Sequence, residues 1–393
     1  MHAILAVLAA IAVDGGGGRS SATQAFPRPQ HMDTVVVSRR TLERVLLDST
    51  ACRSPDAGRG FWPTPPSTVQ AASAALMADD RVALMDLDAE VMRLFAPDGR
   101  ELARLGRRGA GPGEFGQLAF PVRWDGDTIA VLDPQYARIS LFTAQGFAST
   151  FSAREVEGLA SASYTGRLDD GTMLFVRFGS LTDAKTSPSR PRFTLVRWRP
   201  GMPAHALVRD SLLGSTFHQI TSGGRAGVVR ANFPRTTSIA AVGDRIALYD
   251  NAVPRVEILD RSGTTVRVVS LDVRDPPVSA EDRDTALARW RQPRAPLSNE
   301  AMRLQIWFPE TRPAATWHGA DARAGFWMGF HPPTARGSAV YVRFTSEGAP
   351  DRCLRPAAGT RLIAFGADRV VTVVQTDERD VIDIERAARF PVR

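Results

Sequence analysis

The stretch Leu105–Gly146 reads LGRRGAGPGEFGQLAFPVRWDGDTIAVLDPQYARISLFTAQG. Glycines stand at 106, 109, 111 and 113, and Glu114-Phe115 follows them. An apolar run ends at Asp133; a second run carries Arg138 and Phe142 and closes at Gly146. Apolar residues alternate within each run (Ile129 and Val131, then Ile139 and Leu141), which suits strands with a buried face. Asp133 stands where the first run ends. Asp favours turns because its carboxylate accepts from backbone N–H groups just downstream. Arg138 is placed to pair with Asp133 across the resulting hairpin, and Gly146 supplies the positive φ of the next turn.

The same layout recurs. VALMDLDAEVMRLFAPDG at 82–99 aligns with 129–146 at a constant offset of 47, so that Asp86 falls on Asp133, Phe95 on Phe142 and Gly99 on Gly146. IALYDNAVPRVEILDRSG at 246–263 aligns at an offset of 117, placing Asp250 on Asp133 and Arg255 on Arg138. Weaker copies lie at 168–201, 321–348 and 361–390. Repeats of about 40–50 residues built from short strands indicate β-propeller blades. The sequence predicts an all-β, six-bladed propeller with blades at 76–105, 120–155, 160–212, 237–272, 314–350 and 360–391. The last blade is short of strands, and TVVVSRRTLERVLLDS at 34–49 has no blade of its own. The simplest closure adds this N-terminal strand to the last blade, which removes free sheet edges.

These residues carry a family resemblance. GRRGAGPGEF at 106–115, Pro121, the LDPQYARISLF strand pair, VRVVSLDVRDPPVSAEDRDTALARW at 266–290, PAATWHGADARAGFWM at 313–328 and RVVTVVQTDERDVIDIERAARF at 369–390 are the residues concerned. On them the chain resembles the six-bladed β-propellers of the NHL/TolB-like group of environmental bacteria, over about residues 34–391. The resemblance implies fold and export more than an activity. The chain departs from the pattern in an irregular third blade, and in lacking the Asp133/Arg138 type of pair in the third, fifth and sixth blades.

One ring absorbs residues 26–393 of the 393-residue chain as a single domain. Residues 3–13, AILAVLAAIAV, form an apolar run ahead of Asp14 and four glycines, and SATQA ends at Ala25. This reads as a signal peptide over 1–25, and so as a secreted or periplasmic protein, although only His2 stands where a basic segment is usual. No segment reaches the roughly 18 apolar residues of a membrane span. The formal charge is +7, and 48 of the 49 basic residues are Arg, Lys185 being the exception. The arginines are scattered along the chain as a solvated blade surface, without interleaved aromatics, which argues against nucleic acid. Cys52 and Cys353 are too few for a zinc site made of cysteine alone. In an exported protein they form either one bridge near the expected closure or two free thiols. A monomer is expected.

Chemistry is harder to find. The glycine stretch lacks the Lys and Ser/Thr of a phosphate loop, so Gly111, Gly113 and Phe115 read as structural parts of a blade crossing. Asp86, Asp88 and Glu90 lack the Gly and Glu of a calcium loop, whose places Val91 and Pro97 occupy. No G-x-S-x-G elbow occurs, and no catalytic residue, cofactor or metal is assigned. Glu310, His318, Asp321 and His331 are loop candidates: the two histidines and Asp321 as ligands converging in three dimensions, Glu310 and His318 as acid and base.

The segment 274–312 breaks the repeat. Ser279 and Asp282 form a capping-box start; Ala286, Leu287 and Trp290 make an apolar stripe; a second helix is expected over 299–306. Such an insertion sits over one face of the ring. The expected function is an exported binding module for a protein, peptide or glycan. The alternative is a metal-dependent hydrolase or lyase, lactonase-like or amidating-lyase-like, with its site in the central channel. That alternative needs Asp, Glu, Asn or His on several inner strands. Taking Ile129-Ala130-Val131 and Ile246-Ala247-Leu248 as inner strands makes the channel apolar and favours binding.

Overall fold

The computed structural model describes residues 33–391 apart from 49, 56–70, 87, 118, 155, 157–158, 160–161, 180–187, 203–204, 223–224, 291–305, 322, 332–338, 358 and 376–379. Six antiparallel sheets follow one another as blades, each with its strands in chain order. Blade one is Ala71–Leu76, Val82–Asp86, Val91–Phe95 and Glu101–Leu105; blade two is Phe120–Arg123, Ile129–Asp133, Arg138–Thr143 and Gly146–Ser152. Blade three is Ala162–Arg167, Met173–Phe178, Arg192–Trp198 and Ala206–Leu213; blade four is Thr237–Val242, Arg245–Asp250, Arg255–Leu259 and Thr265–Leu271. Blade five is Ala315–Ala320, Phe326–Phe330, Val340–Phe344 and Pro350–Leu354; blade six has only Thr360–Phe365, Arg369–Gln375 and Asp380–Arg386. The expected signal peptide at 1–25 and residues 299–305 of the second expected helix lie outside the described residues; Ile306 is not helical.

The first strand of each blade lines the channel, and the first strands of blades one and two, three and four, four and five, five and six, and six and one touch. The apolar runs that define the repeat are therefore second strands, not inner ones. Every residue of Val82–Asp86, Ile129–Asp133 and Phe326–Phe330 is buried, because a second strand is clamped between neighbouring sheets on both faces. The true inner strands are AASAAL, FPVR, ASYTGR, TSIAAV, ATWHGA and TRLIAF, rich in small residues and mixing apolar side chains with Arg123, Tyr164, Arg167, His318 and Arg361. Crowding near the axis explains this: a Cβ on Gly166 would lie 2.8 Å from the backbone N of Ala241.

Closure differs from expectation. Blades six and one meet through side chains alone, with Leu76, Val82, Leu84 and Phe95 packed on Ala364, Val371, Val373, Ile382 and Ile384. The N-terminal strand Asp33–Val37 pairs in parallel with Thr265–Leu271 of blade four, not with blade six. Helix α1 (Arg39–Leu47), capped by Ser38, follows it and buries Leu42 and Val45. Ala388–Arg389 at the other terminus pairs with the outer strand of blade five. Cys52 and Cys353 are bonded sulfur to sulfur, tying the segment after α1 to blade five rather than to the closing seam. Arg355 adds Nη2 donations to the carbonyls of Val45 (2.7 Å), Leu46 and Asp48 at the end of α1. Both termini thus brace the seam between blades four and five. Its core joins Val37, Leu42, Val45 and Cys52 to Ala247, Tyr249 and Val269 of blade four and Phe326, Phe330 and Phe344 of blade five.

The repeated Asp and Arg have a structural task. Arg138 Nε pairs with Asp133 at 3.2 Å, while its terminal nitrogens donate to the carbonyls of Gly109 (3.2 Å), Ala110 (2.6 Å) and Glu114 (2.8 Å). Asp133 also accepts from Gly116 N at 3.1 Å. One ion pair therefore staples the glycine-rich crossing to the hairpin of blade two. Phe115 is buried there, edge-on to Phe142. Gly106 is required: it has φ +68°, and a Cβ would meet the Phe115 ring at 2.3 Å. The other copies vary. Arg255 stands opposite Asp250 in register but pairs with Glu257 at 3.0 Å, and Asp250 takes Arg190 instead. Asp86 faces Arg93 and caps its own turn at Asp88 and Ala89.

Replacing Arg138 by Met leaves Asp133 and the crossing carbonyls buried without their donor. Stability measured by guanidinium denaturation should fall by about 3–5 kcal/mol. Replacing both cysteines by Ser frees the N-terminal segment from blade five. That should cost about 2–4 kcal/mol, read as a lower denaturation midpoint that reducing agent no longer changes.

Candidate functional site

Chain direction alternates through each blade, so the links from a fourth strand to the next first strand share one face of the ring with the links from second to third strands. Two of the former are long. Between blades three and four the chain forms a hairpin of Phe217–Ser222 and Arg225–Arg230. The sequence reading missed it; the signal was Gly223-Gly224 between two strand-like runs. Between blades four and five lies the 274–312 insertion, with helix α2 (Ala280–Trp290). Ser279 and Asp282 cap α2 reciprocally: Asp282 N donates to Ser279 Oγ at 3.1 Å and Ser279 N to Asp282 Oδ2 at 3.0 Å.

Hairpin and insertion join into a cap. Ile306 packs with Val229, Leu287 and Phe308 in a small apolar cluster, and Arg283 lies over the Phe308 ring at 5.0 Å. Trp307 N donates to Nε2 of His218, which is 3% exposed. Nδ1 of that imidazole is buried without a partner, and burial holds the ring below the usual histidine range.

Polar staples fix the cap to the ring. Arg235 pairs with Asp275 at 2.6 Å and donates to Asn251 O (3.0 Å) and Thr311 Oγ1 (2.7 Å). Asp275 also accepts from Ala314 N at 2.9 Å, just before the inner strand of blade five. On the same face Arg190, from the link within blade three, ties that blade to blade four through Asp250 (3.0 Å) and Thr237 Oγ1 (3.2 Å).

Under this cap the structure brings His318 and His331 together, on a residue the sequence reading did not single out. Thr316 Oγ1 lies 2.9 Å from His318 Nε2 and 3.2 Å from His331 Nε2. His318 is the extra residue of a bulge in the inner strand of blade five, which turns its ring onto Thr316; the ring also packs against Tyr341 and Phe365. Burial, reinforced by the Arg312 guanidinium, pushes His331 down to about 4. The neutral His331 and the threonine hydroxyl then form a chain of three polar atoms, satisfied with the protons running in either direction. Such a chain can orient a ligand or pass a proton.

The expected convergence with Asp321 does not occur. Asp321 follows the other end of the same strand and is held in a buried ion pair with Arg343 at 2.6 Å. That pair supplies blade five with an Asp–Arg couple that the sequence reading had missed, on the face opposite the cap. Glu310 is exposed, its carbonyl accepting from Val278 N, and it is not the partner of His318. Among the described residues no three His, Cys, Asp or Glu side chains come together. The inner strands carry Arg123, Tyr164, Arg167, His318 and Arg361 and no carboxylate, a donor set unsuited to a divalent cation.

No protein-family model and no curated protein matches the sequence. The fold is similar to solved propellers. A protein described as exported, from Bacteroides fragilis, is 12% identical over 91% of this chain and 100% of its own, with a TM-score of 0.44. A member of the DUF4221 family from Bacteroides vulgatus is 8% identical over 82% of this chain and 94% of its own, with a TM-score of 0.48. A streptogramin B lyase is 10% identical over 83% and 95%, with a TM-score of 0.38.

The buried histidines set a pH dependence. On unfolding, His331 returns from about 4 to an ordinary value of 6.5, so the unfolded chain binds the extra proton. Stability is then full above pH 6.5 and is lost as pH falls toward 4; His218, shifted the same way, adds to the loss. Melting temperatures between pH 7.5 and 4.5 should show this slope, and His331→Gln should flatten it.

Proposed function

We propose that the chain is an exported binding module of the NHL/TolB-like kind, with a leader at 1–25, and that its capped mouth receives a protein, peptide or glycan ligand. One observation carries this reading. The two long links between blades fold over the same mouth and are fixed to the ring by arginine staples around Arg235 and Asp275, while their own apolar cluster is small. Loops held over a rigid ring are where propellers place recognition. Among the described residues its apolar cluster is Ile306, Val229, Leu287 and Phe308, and elements held by few such contacts are the ones able to adjust to a ligand. The inner strands carry Arg123, Tyr164, Arg167, His318 and Arg361, so an apolar channel is not what favours binding over catalysis. The absence of carboxylates from those strands replaces it, because lactonase-like chemistry needs anionic ligands there.

The test uses the mature chain, 26–393, on glycan and peptide arrays, beside a variant with 284–305 replaced by a short Gly/Ser linker that keeps Asp275, the Asp282–Arg312 pair and Thr311. The ligands found should lose at least about tenfold in affinity in the variant, with the melting temperature little changed. Undiminished binding, or ligands that cross-link to the opposite face, would remove the capped mouth from consideration.

A further inference from the structure

We propose that Arg230 anchors an oxyanion subsite at the capped mouth, taking a carboxylate, phosphate or sulfate group of the bound ligand. This rests on the binding reading above and names the chemistry of one contact.

The argument is one of charge compensation. Arg230 ends the second strand of the cap hairpin, facing Phe217 in register, and is half-buried. Its Nη2 donates to Thr236 Oγ1 at 3.3 Å, and Thr236 directly precedes the inner strand of blade four. The guanidinium is therefore held at the rim of the channel. Ser215 Oγ lies 3.0 Å from Thr236 Oγ1, putting two hydroxyls beside it. Arg230 Nε is sealed from solvent and has no acceptor. Burial lowers the basicity of the guanidinium, and no carboxylate among the described residues opposes the effect.

Seven other buried or half-buried arginines differ. Arg93 faces Asp86 and Glu101, Arg138 faces Asp133, Arg190 faces Asp250 and Arg209 faces Glu257. Arg235 faces Asp275, Arg312 faces Asp282, and Arg343 faces Asp321 and Asp351. Arg123, on the inner strand of blade two, makes a useful control. It too is lowered by burial, but Asp321 and Asp169 oppose the shift. A buried charge without a counter-charge is costly to hold in a folded chain. Arg230 carries that cost beside two hydroxyls at a channel mouth; with Nε sealed, the edge formed by its two terminal nitrogens is the one left for bidentate contact with an oxyanion. Net compensation comes from the ligand.

The test is thermal melting and calorimetric titration of the mature chain with acetate, inorganic phosphate and sulfate, chloride keeping ionic strength constant. Wild type should show a saturable rise of about 1–3 °C with at least one of the three. The most effective anion identifies whether a carboxylate or a tetrahedral oxyanion is preferred. Arg230→Met and Arg230→Gln should lose the rise and, without anion, melt no lower than wild type, since an uncompensated charge has gone. Arg235→Met, which strands Asp275, should melt lower. The proposal fails if no anion acts beyond chloride, if the Arg230 variants respond like wild type, or if they are destabilised as much as Arg235→Met. Loss of array ligands in the cap variant without any anion effect would leave the binding reading standing and remove the oxyanion site. An anion effect confined to wild type, with no array ligand, would do the reverse.

Discussion

The structure depends on the two-sided burial of each second strand. A strand such as Ile129–Asp133, with every residue buried, cannot belong to a sheet that faces water on one side. It needs a neighbouring sheet on each face, and that requirement, repeated from blade to blade, is met by a closed ring. Closure then needs no shared strand. Blade six, with three strands of its own, meets blade one through Val371, Val373, Ile382 and Ile384 against Val82, Leu84 and Phe95. Trp327 Nε1 reaches from blade five to Gly366 O at 2.9 Å, so the sixth blade is fixed on both sides. The termini are left free to strengthen another part of the ring.

That part is the seam between blades four and five. The chain makes its longest excursion there, leaving blade four after Leu271 and entering blade five at Ala315. Blades joined by so long a link gain little from their connection and must be held together by other means. The strand at 33–37, helix α1, the Cys52–Cys353 bond and the strand at 388–389 all load onto this seam. Tyr249 O–H adds a bond to Ala315 O at 3.1 Å. The outside is braced where the inside carries the cap. A site needs a support more rigid than the elements that close over it, and this seam provides one beneath Arg235, Thr316 and His331.

What the sequence made legible was local. The hairpin grammar of Asp and Gly recurs within about 20 residues; it marked blades one, two and four, and weaker strand-pair copies placed the other three. The inner strands were not legible, because crowding at the axis selects small and polar residues, as in ASYTGR, that carry no strong period. The destination of the N-terminal strand was hidden for another reason. Its partner, Thr265–Leu271, is more than two hundred residues away and paired in parallel, and an edge strand matches any apolar edge. Of the site, His318 and His331 were visible as residue types, but their meeting point was Thr316, which nothing in its neighbourhood marks. Asp321 directly follows the far end of the same strand, Ala315–Ala320, and so falls at the opposite mouth.

The arginine content takes on a different meaning in the folded chain. Read along the sequence, 48 arginines and one lysine suggest a solvated surface. In the fold, several of them act on backbone. Arg138 serves the carbonyls of the glycine crossing, Arg355 those at the end of α1, and Arg190 those of Leu213 and Gly214. A propeller has many irregular crossings whose carbonyls find no strand partner, and buried carbonyls must be satisfied. Arginine meets that need better than lysine, because a planar group with five donors can serve two or three carbonyls and a carboxylate together. The excess positive charge follows partly from the architecture. Chemistry is then to be sought where an arginine is buried and has neither carbonyl nor carboxylate to serve, and at the rim of blade four Arg230 is such a residue.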